Sequence, residues 1–245
     1  MRKQNIYTVI GIMSGTSMDG VDFSLIKTDG INYTQIVFEK NYKYTENYRK
    51  KIKKLIKDLP KSENKQFIYA KNNEKFITDK FLQYIKKFIK IIEPNLHKID
   101  LIGLSGQTIF HNPNKKYSLQ LGSGKEIYKK IKIAIISNFR QKDLLNGGQG
   151  APIGSFYHKS ILNKINKKAC IINLGGIANI TYANRKILIS TFHYLFISFF
   201  YCKKLLFCKI LNIFTYSNQL IWMVFYSHFS ICFFNICISS IFCKS

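Results

Sequence analysis

Acidic residues, arginine and proline are scarce in this sequence, and each scarcity narrows its possible function. The chain of 245 residues has 13 acidic residues, none of them after Asp143, against 38 lysines and arginines, for a formal net charge of +25. Only four of the basic residues are arginines. Because arginine is the usual bidentate ligand of phosphates and guanines, we expect no nucleic-acid partner. Four prolines exclude a Pro-rich chain, while 47% hydrophobic residues are enough for a globular core.

A secretion signal and a cysteine framework are also lacking. The apolar run of residues 6–13 is interrupted by polar residues 14–22 before any cleavage pattern appears, so we expect a cytoplasmic protein. Five of the six cysteines follow residue 200, with no CxxC pair and no histidine at metal-ligand spacing. These cysteines therefore indicate neither a zinc site nor a disulfide framework.

Hydrophobic patterning over the first 183 residues predicts an α/β domain. Residues 6–13 and 21–28 are typical of a two-stranded hairpin, a third strand is predicted at 33–42, and helices are predicted at 46–57 and 66–92. Shorter elements then alternate: strands at 99–104, 118–121, 131–136, 169–174 and 177–182, and helices at 125–131 and 153–165. This alternation favours a layered α/β fold, which binds ligands in the loops at the ends of its strands.

The turn between the first two strands is the first candidate for chemistry. It contains two glycines, two hydroxyls and two acids within the run Gly15, Thr16, Ser17, Met18, Asp19, Gly20, Val21 and Asp22. Glycines let backbone N–H groups approach phosphate oxygens, and an aspartate can hold Mg²⁺ directly or through water. The same residue types also fill ordinary hairpin turns, so the residues alone leave both interpretations open.

Further polar loops follow the later strands, at residues 103–108, 138–152 and 173–181. Each of them, taken alone, is equally typical of a plain loop. The segment 122–125 ends like a Walker A loop, but Leu119 and Glu126 stand where that motif needs glycine and Ser/Thr. His158, on a predicted helix, is expected to be a packed or surface histidine and not a catalytic base.

Taken together and in order, these loops resemble the signatures of the anhydro-N-acetylmuramic acid kinase family. Five strings over residues 6–183 carry the resemblance, and their combination is highly specific. They are Gly11-Ile-Met-Ser-Gly-Thr-Ser-Met-Asp-Gly-Val-Asp22, Gly106-Gln-Thr108 with His111 and Pro113, Asn138-Phe-Arg-Gln-Lys-Asp143, Gly147-Gly-Gln-Gly-Ala-Pro152, and Asn173-Leu-Gly-Gly-Ile-Ala-Asn179.

The resemblance implies an ATP-dependent sugar kinase with the actin/hexokinase-like (ribonuclease H-like) α/β fold. Such kinases convert 1,6-anhydro-N-acetylmuramic acid, ATP and water to N-acetylmuramic acid 6-phosphate and ADP in cell-wall recycling. It implies ATP and Mg²⁺ as cofactors, residues 15–22 as the first phosphate loop with Asp19 near the metal, and Gly175 and Gly176 as the second. The residues expected to lie toward the sugar are Gln107, Thr108, Arg140, Lys142 and Asp143. A homodimer like that of the family is not expected for this chain.

The sequence also departs from the family pattern. Members usually have histidine where Ser105 stands, aspartate where Asn138 stands, and a Gly-Asp-Asn type of loop where this chain has Ser123-Gly124-Lys125. The family's water-activating aspartate lies in an Asp-Thr/Cys-Gly-Pro-Gly-Asn segment, and neither that string nor the family's adenosine-binding glycine run occurs after Thr181. We therefore expect a family member whose activity is impaired, and the catalytic base is not assigned to any residue.

Residues 184–245 are expected to lie outside the resemblance. We expect a first domain at 1–165, the first hairpin of a second domain at 166–183, and an apolar, acid-free tail at 184–245. The tail is typical of out-of-frame translation of AT-rich DNA, although residues 220–242 are also long and apolar enough for a membrane span. The alternative function is a non-catalytic basic protein that is membrane-tethered or binds nucleic acid, and the tail alone predicts non-specific membrane association.

Overall fold

The computed structural model describes residues 5–31, 33–95, 98–164, 169–173, 177–183, 188–194 and 222–226. These residues belong to two compact units, the first ending at Gly154 and the second beginning at Ser155. Within these ranges, no helix is long and apolar enough to cross a membrane. The apolar segment at 220–242 lies outside the described residues except for 222–226, and the predicted domain ranges stay predictions.

The first unit is built on a five-stranded mixed sheet with a separate two-stranded hairpin. The strand order in the sheet is β3-β2-β1-β4-β7. Strand β2 runs antiparallel to β1 and β3, whereas β4 runs parallel to both β1 and β7. The hairpin pairs β5 with β6. The strands are β1 Tyr7–Ser14, β2 Gly20–Thr28, β3 Thr34–Lys43, β4 Leu101–Leu104, β5 Gln107–Asn112, β6 Tyr117–Leu121 and β7 Ile135–Ser137.

Four helices cover this unit: α1 Glu46–Lys57, α2 Glu63–Ile92, α3 Gly124–Ile131 and α4 Phe139–Leu145. The long helix α2 supplies much of the core, because Ile77, Phe81, Ile85 and Phe88 recur at helical spacing and are all fully buried. The ring of Phe88 lies 4.9 Å from that of Phe23 on β2. Each such side chain contributes about 1.5–3 kcal/mol by leaving water, which holds α2 against the sheet.

Within the described residues, the second unit contains one helix and a four-stranded sheet in the order β10-β9-β8-β11. Its helix contributes a buried His158, whose Nδ1 lies 2.8 Å from the hydroxyl of Thr181 on β9. Burial lowers the pKa of His158 to about 4, so the ring is neutral near pH 7 and tethers helix to sheet. The elements are α5 Ser155–Lys164, β8 Ala169–Asn173, β9 Ile177–Ala183, β10 Leu188–Tyr194 and β11 Trp222–Tyr226.

The predicted α/β class is confirmed, and the first three strands and two helices lie close to their predicted positions. The strand predicted at 131–136 begins only at Ile135, because α3 runs to Ile131 and Lys132 closes it in the left-handed conformation (φ 58°). Residues 138–143, predicted as a loop, instead begin helix α4. Residues 107–112 pair as β5, where the sequence indicated loop.

Candidate functional site

The loop between β1 and β2 is a tight turn with exposed hydroxyls. The backbone N–H of Met18 donates to the carbonyl of Gly15 over 3.2 Å, and Met18 takes a left-handed φ of 56°. Thr16 and Ser17 are exposed. A Cβ on Gly20 would lie only 2.4 Å from a backbone carbonyl of β3, so this glycine is required by strand pairing itself. The exposed part of the loop can therefore meet a ligand, while its end is fixed by the sheet.

The two carboxylates of this loop face different partners. Oδ1 of Asp19 lies 3.2 Å from Nη2 of Arg49 on α1, and the Asp19 side chain is 69% exposed. Oδ1 of Asp22 accepts a hydrogen bond from the side-chain amide of Asn41 over 2.8 Å. Among the described residues no group of three or more His, Cys, Asp or Glu could enclose a metal. Mg²⁺ commonly takes one or two carboxylates together with substrate phosphates, so the exposed Asp19 fits such an ion through the oxygen that does not face Arg49.

Gln107, predicted to contact the sugar, lies in the interior. Its Oε1 accepts a hydrogen bond of 2.6 Å from the hydroxyl of Ser14, the last residue of β1. The same hydroxyl lies 3.1 Å from the hydroxyl of Tyr44, and the backbone N–H of Ser14 donates to Oγ of Ser105 over 3.3 Å. Gln107 is fully buried, and the network joins the end of β1 to the segment that follows β4.

A cleft of about 470 Å³ with a mixed polar and apolar lining opens at the carboxyl ends of β4 and β7, bounded by α2, β6 and the start of α3. Parallel strands present their carboxyl ends at one edge, which is where α/β sheets bind ligands. Glu74 and Lys125 are its charged lining residues. The hydroxyls and amides around it come from Ser105, Ser118, Gln120, Ser123, Ser137, Asn138 and Gln141. These polar groups can bind the hydroxyls of a sugar, while Phe67, Leu104 and Leu119 give the same cleft an apolar side.

The positions that depart from the family pattern all line this one cleft. Ser105, Asn138 and the segment 123–125 come together there from three separate parts of the chain. Asn138 takes a left-handed conformation (φ 61°), which turns the chain from β7 into α4. None of the five predicted sugar contacts is among the lining residues. Their role toward a ligand stays a prediction.

Arg140 and Asp143 bind the glycine-rich loop that follows α4. Nη1 of Arg140 donates to the carbonyl of Gly150 over 2.8 Å, and the N–H of the same glycine donates to Oδ2 of Asp143 over 2.7 Å. A Cβ on Gly148 would meet that carboxylate, so any larger residue there would have to displace the Asp143 side chain. Burial lowers the pKa of Arg140 to about 10. Lys142, between them, is exposed.

Glu74 was not indicated by the sequence. It lies on the middle of α2, among helix-forming residues and far along the chain from every motif, so no spacing or residue pattern points to it.

Of the remaining predicted site residues, Thr108 is half-buried on β5. The second predicted phosphate loop, with Gly175 and Gly176, lies outside the described residues.

The strand order, with a cleft at the carboxyl ends of β4 and β7, defines an α/β domain built on a mixed sheet, which agrees with the actin/hexokinase-like fold class predicted from the sequence. A family model described as anhydro-N-acetylmuramic acid kinase matches residues 7–191. The chain belongs to the anhydro-N-acetylmuramic acid kinase family. The matched region includes part of β10 and reaches beyond residue 183, where the sequence resemblance was expected to end.

Curated relatives carry the name anhydro-N-acetylmuramic acid kinase, and this chain matches part of each. The anhydro-N-acetylmuramic acid kinase of Pelagibacter ubique (strain HTCC1062) is 42% identical over 188 residues, covering 73% of this chain and 48% of the relative. The enzyme of the same name from Rhodopseudomonas palustris (strain ATCC BAA-98 / CGA009) is 33% identical over 71% of this chain and 49% of its own length. The chain thus spans about half the length of the curated relatives it matches.

Solved structures show more distant likenesses. A ROK family glucokinase from Streptomyces griseus in complex with glucose and AMPPNP aligns with a TM-score of 0.37 and 10% identity, over 77% of this chain and 48% of that one. A Bacteroides thetaiotaomicron protein with an actin-like ATPase fold and unknown function aligns with a TM-score of 0.36 and 10% identity, over 98% and 88% of the two chains. At these scores the likenesses carry no functional inference.

Proposed function

We propose that this chain holds the sugar and the ATP phosphates for the conversion of 1,6-anhydro-N-acetylmuramic acid, ATP and water to N-acetylmuramic acid 6-phosphate and ADP, in the cytoplasm and in the service of cell-wall recycling. The observation that carries the proposal is the family match over residues 7–191. Three of its five signatures end β1 or follow β4 and β7, three parallel strands whose carboxyl ends share one edge of the sheet.

The β1–β2 loop is the part suited to phosphate. Its exposed hydroxyls, Thr16 and Ser17, can donate to phosphate oxygens, and the open carboxylate of Asp19 can hold Mg²⁺ directly or through water. Mg²⁺, when bound, neutralises charge on the phosphates during transfer. Gly20 and Val21 belong to β2 and fix where the loop ends, so their contribution to binding is indirect.

The cleft is the part suited to the sugar. Its hydroxyl and amide groups can exchange donors and acceptors with a polyol, and Lys125 at its rim can face a carboxylate. Arg140 and Asp143 serve this site by holding the glycine-rich loop in place, since both hydrogen-bond to Gly150. Lys142 is exposed and free to meet an anionic substituent.

We further propose that the chain with this sequence binds substrates without turning them over. The Asp-Thr/Cys-Gly-Pro-Gly-Asn segment, to which the resemblance assigns the water-activating base, does not occur in the sequence. Losing a general base alone costs about 10²–10⁴ in rate. Translating the coding DNA in all three frames across codons 180–200 tests the origin of this loss. A second frame that continues with the segment would identify a frameshift, and its absence from every frame would refute that explanation.

Calorimetry with 1,6-anhydro-N-acetylmuramic acid and with Mg·ATP, alongside an assay for ADP release, tests the function. We expect binding of both ligands without sugar-dependent ADP release. Asp19→Asn should weaken Mg·ATP binding, because it removes the carboxylate charge that faces the metal. Asp58→Asn, an equal change of charge at an exposed site after α1, should leave binding as it is. Absence of sugar binding would refute the proposal, and sugar-dependent turnover would refute the loss of activity.

A further inference from the structure

Helix α2 reaches into the cleft through Glu74. Oε1 of Glu74 accepts a hydrogen bond of 2.6 Å from the backbone N–H of Gly122. One turn further along the helix, Oγ1 of Thr78 accepts one of 2.9 Å from the N–H of Ser123. Two consecutive amides of the turn before α3 are thus held by α2, and of the two side chains that hold them only Glu74 lines the cleft.

The second carboxylate oxygen of Glu74 is left for a ligand. Among the described residues, Gly122 is the only group that hydrogen-bonds to this carboxylate, and Lys125 lines the same cleft without pairing with it. Burial raises the pKa of Glu74, because one hydrogen bond from Gly122 does not replace the water that the charged carboxylate loses. A carboxylate in this situation gains from any donor that a ligand brings to it.

We infer that Glu74 is a specificity-determining residue of the cleft, and that its free oxygen accepts a hydrogen bond from a hydroxyl or amide N–H of the bound sugar. The inference rests on the proposed sugar site and adds one contact to it. Because the carboxylate is fixed by Gly122 and α2, a neutral donor group is favoured at this point and an anionic substituent is repelled. The acidic substituent of a sugar must then point elsewhere, toward the rim where Lys125 lies.

Three substitutions in the full chain separate this role from a structural one. Glu74→Gln keeps an oxygen for the N–H of Gly122 but replaces the ligand-facing oxygen by a donor. Thr78→Val removes the acceptor for the N–H of Ser123, the neighbouring amide of the same turn. Thr78 itself does not line the cleft. Glu126→Gln makes the same charge change on the exposed face of α3, where Glu126 pairs with Lys129.

The measurement is calorimetric titration with 1,6-anhydro-N-acetylmuramic acid, with circular dichroism to verify folding. We expect Glu74→Gln to weaken binding by about tenfold or more, as for loss of a charge-assisted hydrogen bond, and the other two variants to stay within about threefold. Unchanged binding by Glu74→Gln would overturn the inference and leave the proposed function standing. An equal loss of sugar affinity in Thr78→Val would also overturn it, because the loss would then come from a disturbed turn and not from a contact between Glu74 and the sugar. If the unsubstituted chain binds no sugar, the proposed site falls and the inference with it.

Discussion

The buried hydroxyl of Ser14 gives a sharp test of whether Gln107 is a structural or a ligand-binding residue. Ser14→Ala removes the 2.6 Å donor to Oε1 of Gln107 and the 3.1 Å partner of the Tyr44 hydroxyl. Both residues are buried, so both lose a hydrogen bond that water does not readily replace. One buried polar group without a partner costs about 1–3 kcal/mol, and for two groups around one small gap we expect about 2–4 kcal/mol.

The assay is urea unfolding followed by circular dichroism, with Ser17→Ala as the matched control. Ser17 lies three residues further along, in the loop that follows β1, and is exposed, so the same substitution there should change stability by less than about 0.5 kcal/mol. Equal stabilities for the two variants would refute the buried network. If Ser14→Ala instead has normal stability but binds the sugar more weakly, Gln107 contacts the ligand, as the sequence predicts.

Three further predictions concern the glycine turns and the second unit. Gly20→Ala should destabilise the fold by about 1–3 kcal/mol, because its Cβ would lie 2.4 Å from a backbone carbonyl of β3, whereas Gly15→Ala, whose nearest neighbour would be at 3.5 Å, should be tolerated in the same unfolding assay. The pKa of His158 is about 4 in the folded chain and 6.5 in the unfolded chain. Its contribution to stability should therefore be constant above pH 6.5 and fall by about 3 kcal/mol between pH 6.5 and pH 4. Acid unfolding measures this contribution, and an unchanged stability over that range would contradict it. Asp143→Ala should release the glycine-rich loop that it holds and speed limited proteolysis there, whereas Lys142→Ala should not.

The sequence predicts those parts of the fold in which local pattern and tertiary packing agree. Helix α1 lies at its predicted residues, since its buried positions Tyr48, Ile52 and Leu55 recur at helical spacing. Helix α4 was missed because it is only seven residues long and buries a single side chain, Leu144, which gives no detectable period. Strand β5 was missed because Gln107 and Thr108 are typical of a polar loop. Their pairing with β6 depends on contacts between strands that periodicity does not report.

Which residues contact a ligand is harder to predict from a sequence than the fold, for a physical reason. A family motif specifies residue types at given positions. A residue of such a motif can be there to hold the backbone or to contact the ligand. Gly20 is required by β3, Gln107 by Ser14, and Asp143 by Gly150. Each of these is a motif residue whose described contacts are with its own chain. Residue type alone could not separate the two roles, because an amide or a carboxylate bonds equally well to a backbone and to a sugar.

Under the proposed function, the residues that face the cleft bear on the choice of sugar more directly than the signature residues that hold its loops. Ser105 and Asn138 are the positions where this chain differs from the family pattern, and Glu74 belongs to no motif, yet all three line the same space. A chain can keep every signature that positions its loops while its binding surface changes, since the two sets of residues share few members. Family membership thus follows from the scaffold. The identity of the sugar has to be tested at the cleft, where a single carboxylate oxygen decides whether a donor or an anion is accepted.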